Sequence, residues 1–289
     1  MKHMKKTLVI FILLTLLLTG CAREESAQIA ATTLPVYTFT SMLCEETDIT
    51  VTRLVTENVS CLHDYTVKVS QMRAVEGAEA VICSGAGLED FLEDVLVDAE
   101  HVIDASKKVD LNCTDDHDHD GHHHEHDPHI WLSPENAKQM SKTICDALSS
   151  LYPQHKARFK ENYIALAEKL DALQDYGEET LKNLTCRQLL TFHDGFAYFA
   201  ESFDLQIVKA IEEESGSEAS AKELIELIEI VNTHSLPAVF TEVNGSTAAA
   251  QTIAKETGTK IYTLDMAMAG DDYFDAMYRN INTVKEALG

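Results

Sequence analysis

Twice along this chain, short apolar runs alternate with stretches of helical period, and a long glycine-free segment separates the two sets. In the first half, Ile29–Leu34, Ile49–Val55, Ala80–Cys83 and Val102–Ile103 have the length and composition of strands, with a helix over Tyr65–Glu76. In the second half, Gln188–Phe192, Gln206–Ile211, Ala238–Thr241 and Lys260–Leu264 repeat the pattern. Strands joined through helices form parallel sheets, because a parallel return needs a crossover long enough to hold a helix. The expected fold class is therefore α/β, with two parallel-sheet lobes.

The middle segment has a different texture. Ser133-Pro134 pairs an N-cap with a first-turn proline, and Ala137, Met140, Ile144, Leu148 and Leu151 follow on one helical face. Pro153 ends that helix and opens another, whose stripe is Phe159, Tyr163, Leu166, Leu170 and Leu173. From Pro153 to Asn183 a continuous helix would span about 45 Å at the usual rise. It reads as a stiff strut between the lobes. Ser220 with Glu223 forms a capping box for a helix bearing Leu224, Ile228 and Val231. The expected organisation is 1–20 signal peptide, 21–28 tether, 29–151 N-terminal lobe, 152–183 linker helix and 184–289 C-terminal lobe.

Lys2, Lys5 and Lys6 precede an apolar run from Thr7 to Leu18, the pattern of an export signal too short for a comfortable membrane span. It ends in Leu18-Thr19-Gly20-Cys21, which resembles a bacterial lipobox and predicts lipidation at Cys21. The net charge of −25 argues against nucleic acid and against anionic membrane surfaces as partners. Export permits disulfides among Cys44, Cys61, Cys83, Cys113, Cys145 and Cys186. Cys83 and Cys145 lie in apolar surroundings and read as small buried thiols.

Histidines dominate residues 115–126. His117, His119, His122, His123, His124 and His126 crowd into ten residues, interleaved with acids. Such a tract has density but no fixed order, and suits weak, exchangeable cation capture. Isolated histidines follow a different logic. His63 lies after one predicted strand, His193 directly follows another, and Asp265 directly follows Lys260–Leu264. Ligands of open α/β sheets bind beyond the carboxyl ends of the strands. His129 stands at a loop-to-helix junction beside Trp131. Together these residues offer three imidazoles and one carboxylate, two from each half.

The stretches "HDYTVKVSQMRAVEGAEAVICSGAGLEDFL" from His63, "DPHIWLSPENA" from Asp127, "TFHDGFAYFAESF" from Thr191 and "IYTLDMAMAGDDYF" from Ile261 resemble the zinc and manganese lipoprotein receptors of bacterial ABC importers. The resemblance covers essentially the whole mature chain. It implies two α/β lobes joined by one long rigid helix, a metal in the cleft between them, and His63, His129, His193 and Asp265 as ligands. It further implies a receptor anchored outside the cell membrane by lipid alone, working as a monomer with a cognate ABC permease and its ATPase. One departure stands out: the family usually has proline before the first histidine, and here the order is Cys61-Leu62-His63. Cys61 is then a competing ligand candidate.

Three imidazoles and a carboxylate suit four-coordinate Zn2+ better than Mn2+, which prefers an oxygen-richer shell. Manganese members of the family tend to carry glutamate at the position of His193. Asp64, Asp194 and Glu242 are candidates to orient the imidazoles. A zinc hydrolase is the enzymatic alternative, but a fourth protein ligand would close the site. The sequence holds no HExxH helix and no nucleophile elbow. A manganese receptor and a stand-alone metal buffer are the other readings.

Overall fold

The computed structural model describes residues 28–57, 62, 65–112, 126–211, 219–268 and 270–289. The signal, residues 21–27 of the tether with Cys21, and Cys61, His63, Asp64, Cys113 and the tract histidines His117, His119, His122, His123 and His124 lie outside the described residues.

Each lobe is built on a four-stranded parallel sheet. The first contains β1 (Ile29–Ala31), β2 (Val51–Arg53), β3 (Ala80–Cys83) and β4 (Val102–Asp104), in the order β2-β1-β3-β4. The second contains β5 (Gln188–Thr191), β6 (Gln206–Ala210), β7 (Ala238–Glu242) and β8 (Lys260–Leu264), in the equivalent order β6-β5-β7-β8. The central strands β1, β3 and β7 are buried along their whole length, as expected of parallel strands covered on both faces. In both sheets the chain steps to one side and then returns to the other. The crevice used by ligands in such sheets therefore falls at β1/β3 and at β5/β7.

Ala80–Cys83 and Lys260–Leu264 have the expected bounds. The run from Ile29 is shorter than expected. Strand β1 stops at Ala31, because helix α1 (Leu34–Leu43) begins with Pro35 in its first turn. The helix expected from Tyr65 is α2, Val69–Gly77, opened by reciprocal bonds between Lys68 and Gln71. After α3 (Glu93–Leu96), helix α4 (Pro134–Leu151) is capped by Ser133, whose hydroxyl accepts from Asn136 N–H. Its buried face includes Ala137, Met140, Ile144 and Leu148.

Pro153–His155 forms a 3-10 turn, and helix α5 then runs from Lys156 to Leu181. Its 26 residues reach about 39 Å at the usual rise, somewhat less than expected. Nor is it free-standing. Asn162 Nδ2 donates to the carbonyls of Leu43 and Glu45 in the first lobe, at 2.9 and 2.8 Å. Gln174 Nε2 donates to Ser202 in the second, at 2.9 Å. Gly177 sits within the continuous helix where the Phe203 ring packs against it, and a Cβ there would lie 2.1 Å from Phe203 Cε1. The remaining helices are α6 (Ala197–Ser202), α7 (Ala221–His234), α8 (Ala248–Thr257) and α9 (Tyr273–Leu288). Helix α7 starts with the Ser220–Glu223 capping box.

One apolar core runs through both lobes, from Ile29, Phe39 and Ile82 through Trp131, Phe159 and Leu170 to Phe240, Tyr273 and Ile281. Phe39 and Tyr273 meet across it edge to face at 5.0 Å. The outward face of each sheet has a smaller core of its own. Cys44, Cys83, Cys145 and Cys186 are free thiols, and burial pushes Cys44 up to about 12. No helix among the described residues is long and apolar enough to cross a membrane.

Candidate metal centre

His193 stands two residues beyond β5, at the crevice between β5 and β7, where the last strand hydrogen bond passes from Phe192 N–H to the Phe240 carbonyl at 2.9 Å. His129 belongs to the first lobe and precedes a 3-10 turn, Ile130–Leu132, that leads into α4. The two rings meet across the lobes. Their Nε2 atoms are 3.4 Å apart and the rings are nearly perpendicular.

Each imidazole has a carboxylate behind it. Asp127 Oδ1 lies 2.8 Å from His129 Nδ1 and also accepts from the His129 N–H at 2.9 Å. A carboxylate can only accept, so Nδ1 carries a proton, and in the neutral ring the lone pair is then on Nε2, toward His193. Tyr198, on α6 of the second lobe, donates its hydroxyl proton to the Asp127 carbonyl at 3.2 Å. Burial pushes that phenol up to about 12, so it stays a donor. Glu242, the last residue of β7, approaches His193 Nδ1 to 3.6 Å. Partners of this kind fix ring orientation and tautomer at metal sites.

The close approach of the rings depends on Gly195. A Cβ there would come within 2.6 Å of Met266 Cε, 2.8 Å of His193 Cδ2 and 3.0 Å of His129 Cε1. Two ligand nitrogens on one tetrahedral Zn2+, each at 2.0–2.1 Å, are about 3.3 Å apart. The pair of Nε2 atoms therefore already has the spacing that such an ion requires.

Asp265 follows β8 directly and is pinned locally. Its Oδ1 accepts from Ala267 N–H at 2.8 Å, and its Oδ2 meets Arg279 Nη2 at 3.2 Å. The structure thus joins His129 with His193. Among the described residues no group of three or more His, Cys, Asp or Glu side chains is gathered to hold a metal ion. His126, the one tract histidine among the described residues, is partly buried, with its Nδ1 enclosed and unpaired.

The equivalent crevice of the first lobe is closed. Glu89 fills it, accepting from Thr32 Oγ1 at 2.6 Å, Ser84 N–H at 2.7 Å and Gly85 N–H at 3.0 Å. Burial pushes this carboxyl up to about 7 against those three bonds. Sequence reasoning missed Asp127 and Gly195 as parts of the site. Both stood in the quoted motifs, Asp127 two residues before a histidine and Gly195 two residues after one. Glu242 was named, and the structure brings it to His193.

The family model described as zinc-uptake complex component A, periplasmic, matches residues 29–287. The zinc-binding lipoprotein AdcA of Streptococcus pneumoniae serotype 4 is 30% identical over 98% of this chain. This chain spans 61% of that protein's length. The crystal structure of ZnuA superposes with a TM-score of 0.80 at 28% identity, covering 91% of this chain and 100% of that one. The SBP FpvC from Pseudomonas aeruginosa, solved in complex with Mn2+, also gives 0.80, at 25% identity, covering 91% of this chain and 98% of that one.

Proposed function

This chain belongs to the family of the periplasmic zinc-uptake complex component A, and from that premise we propose that it is an extracytoplasmic receptor that captures Zn2+ between its lobes and delivers it to an ABC permease. Its role is binding, not catalysis. His63, His129, His193 and Asp265 are the ligands in this reading, and Cys21 carries the lipid anchor. The six histidines of the tract hold additional ions weakly near the site.

The observation that carries the reading is the 3.4 Å separation of the His129 and His193 Nε2 atoms across the lobes. Each ring has a carboxylate at its back. An imidazole pair of this kind favours zinc over manganese, whose preferred donors are oxygens. The burial of the His129 ring and the partial burial of the His193 ring support a selective site rather than a surface buffer, since a site shared between two lobes needs the folded scaffold.

Metal analysis of protein purified without added metal, followed by competition of Zn2+ against Mn2+, tests this. One tight equivalent of zinc, poorly displaced by manganese, is expected. Tight manganese binding that zinc fails to displace would sink the zinc reading, and no tight site for either would sink the receptor reading.

A further inference from the structure

We infer that Asn280 is a positioning residue for the zinc site: its side-chain amide grips the main chain of Asp265 from both sides and fixes the direction in which that carboxylate meets the ion. The inference rests on the reading of Asp265 as a ligand.

Strand β8 lies at the edge of its sheet, and its pairing with β7 ends at Glu242 opposite Leu264. Asp265 is the next residue, just past the ladder. Its N–H donates to Asn280 Oδ1 at 2.8 Å, and its carbonyl accepts from Asn280 Nδ2 at 2.7 Å. A primary amide offers the same donor and acceptor as a peptide group, so Asn280 serves as one more rung of strand. It comes from α9, on a face otherwise made of Tyr273, Ala276, Met277, Ile281 and Val284. Asn280 is 1% exposed. A polar group buried on such a face must be paired, and this one spends both ends of its amide on a single residue.

Two bonds on either side of one Cα hold the backbone dihedrals between them, where a single bond would leave a pivot. With the backbone held, the side chain is also committed: Oδ1 to Ala267 N–H and Oδ2 facing Arg279. The backbone of Asp265 is thus ordered before an ion arrives, so that only the carboxylate has to leave Arg279 and turn to it, and a ligand whose main chain is fixed in advance gives up less freedom on binding. Partners that orient metal ligands typically change affinity by about tenfold to hundredfold when removed.

The test compares Asn280→Ala, Asn280→Asp and Asp265→Ala in the full-length protein. Zinc affinity comes from competition, site geometry from the visible absorption of bound Co2+, and stability from melting of the metal-free protein. Asn280→Ala should weaken zinc by about tenfold to hundredfold and alter the cobalt spectrum. Asn280→Asp, which can still accept from the Asp265 N–H but sets an oxygen against its carbonyl, should weaken zinc at least as much as Asn280→Ala. If one Asn280 variant does not fold, the other decides, with weaker zinc binding and an altered spectrum expected. A variant that melts earlier yet keeps wild-type zinc affinity and cobalt spectrum would show that Asn280 serves the fold alone. Wild-type affinity in Asp265→Ala would overturn the ligand reading, and this inference with it. Weakening in Asp265→Ala but not in the Asn280 variants would overturn only the role of Asn280.

Discussion

The indole Nε1 of Trp131 donates to the main-chain carbonyl of Met266 at 2.7 Å. Trp131 is two residues from His129, and Met266 is next to Asp265, so one bond couples the proposed ligand loops of opposite lobes. The same region is tied twice more. Tyr273 Oη donates to the Trp131 carbonyl at 2.7 Å, and Arg53 Nη1 donates to the Gly270 carbonyl at 2.7 Å.

These ties, the shared core and the packed helix α5 all oppose a hinge. Receptors that close around a ligand bend at a few loop residues, whereas bending here would break helix bonds and expose Phe159, Leu166 and Leu170. Paired spin labels on the two lobes should report a separation that changes by only a few ångströms between metal-free and zinc-loaded protein. An opening of tens of degrees would show that the spine is not rigid.

Asp127 should act through His129. In Asp127→Asn the side chain can offer an amide donor to Nδ1, which removes the preference for the tautomer with a free Nε2 lone pair. Zinc affinity should fall by about tenfold to hundredfold, measured by competition, while the fold persists. Unchanged affinity would mean that the ring does not need this partner.

Gly195→Ala places a methyl group against His193, His129 and Met266 at once. The methionine can swing away, but the two rings are held by Asp127 and by the strand end. Zinc binding should weaken by about tenfold or more, that is about 1.4 kcal/mol. Competition titration reads this directly, and wild-type affinity would show that the rings can separate without cost.

Much of the fold was legible because its signals are local. Ser133-Pro134 and Ser220 with Glu223 mark helix starts through side-chain-to-backbone bonds within one turn, and both hold. Apolar runs bounded on both sides, such as Ala80–Cys83, announce buried strands. The run at Ile29 misled because a buried strand and a buried first helical turn have the same composition, and only Pro35 separates them. The strand-end rule pointed to His193 and its motif to His129, and the structure sets the two rings together. Trp131 and Met266 were not, since 135 residues separate them and neither end of the bond has a local signature. Asn280 was hidden likewise, as an ordinary polar residue on a helix whose importance comes from a partner 15 positions away.

Glu89 gives the metal-free protein a pH dependence of its own. Its carboxyl is raised from 4.5 to about 7 in the folded state, mainly by burial. The folded state therefore holds the proton more tightly than the unfolded one. The associated stability is fully present below about pH 4.5 and is lost as pH rises through about 7. Denaturant melts of wild type and Glu89→Gln between these limits should differ in slope, with wild type losing stability relative to the variant as pH rises. Parallel slopes would place the Glu89 carboxyl near its ordinary value.

The most direct test of the central claim, that one zinc ion is held between the lobes by His129 and His193, is competition titration of His129→Ala, His193→Ala and the double variant. Each single change should weaken zinc by about tenfold or more, at least about 1.4 kcal/mol. The double change should cost less than the sum of the singles, because ligands of one ion are coupled. Wild-type zinc affinity in either single variant would contradict the account.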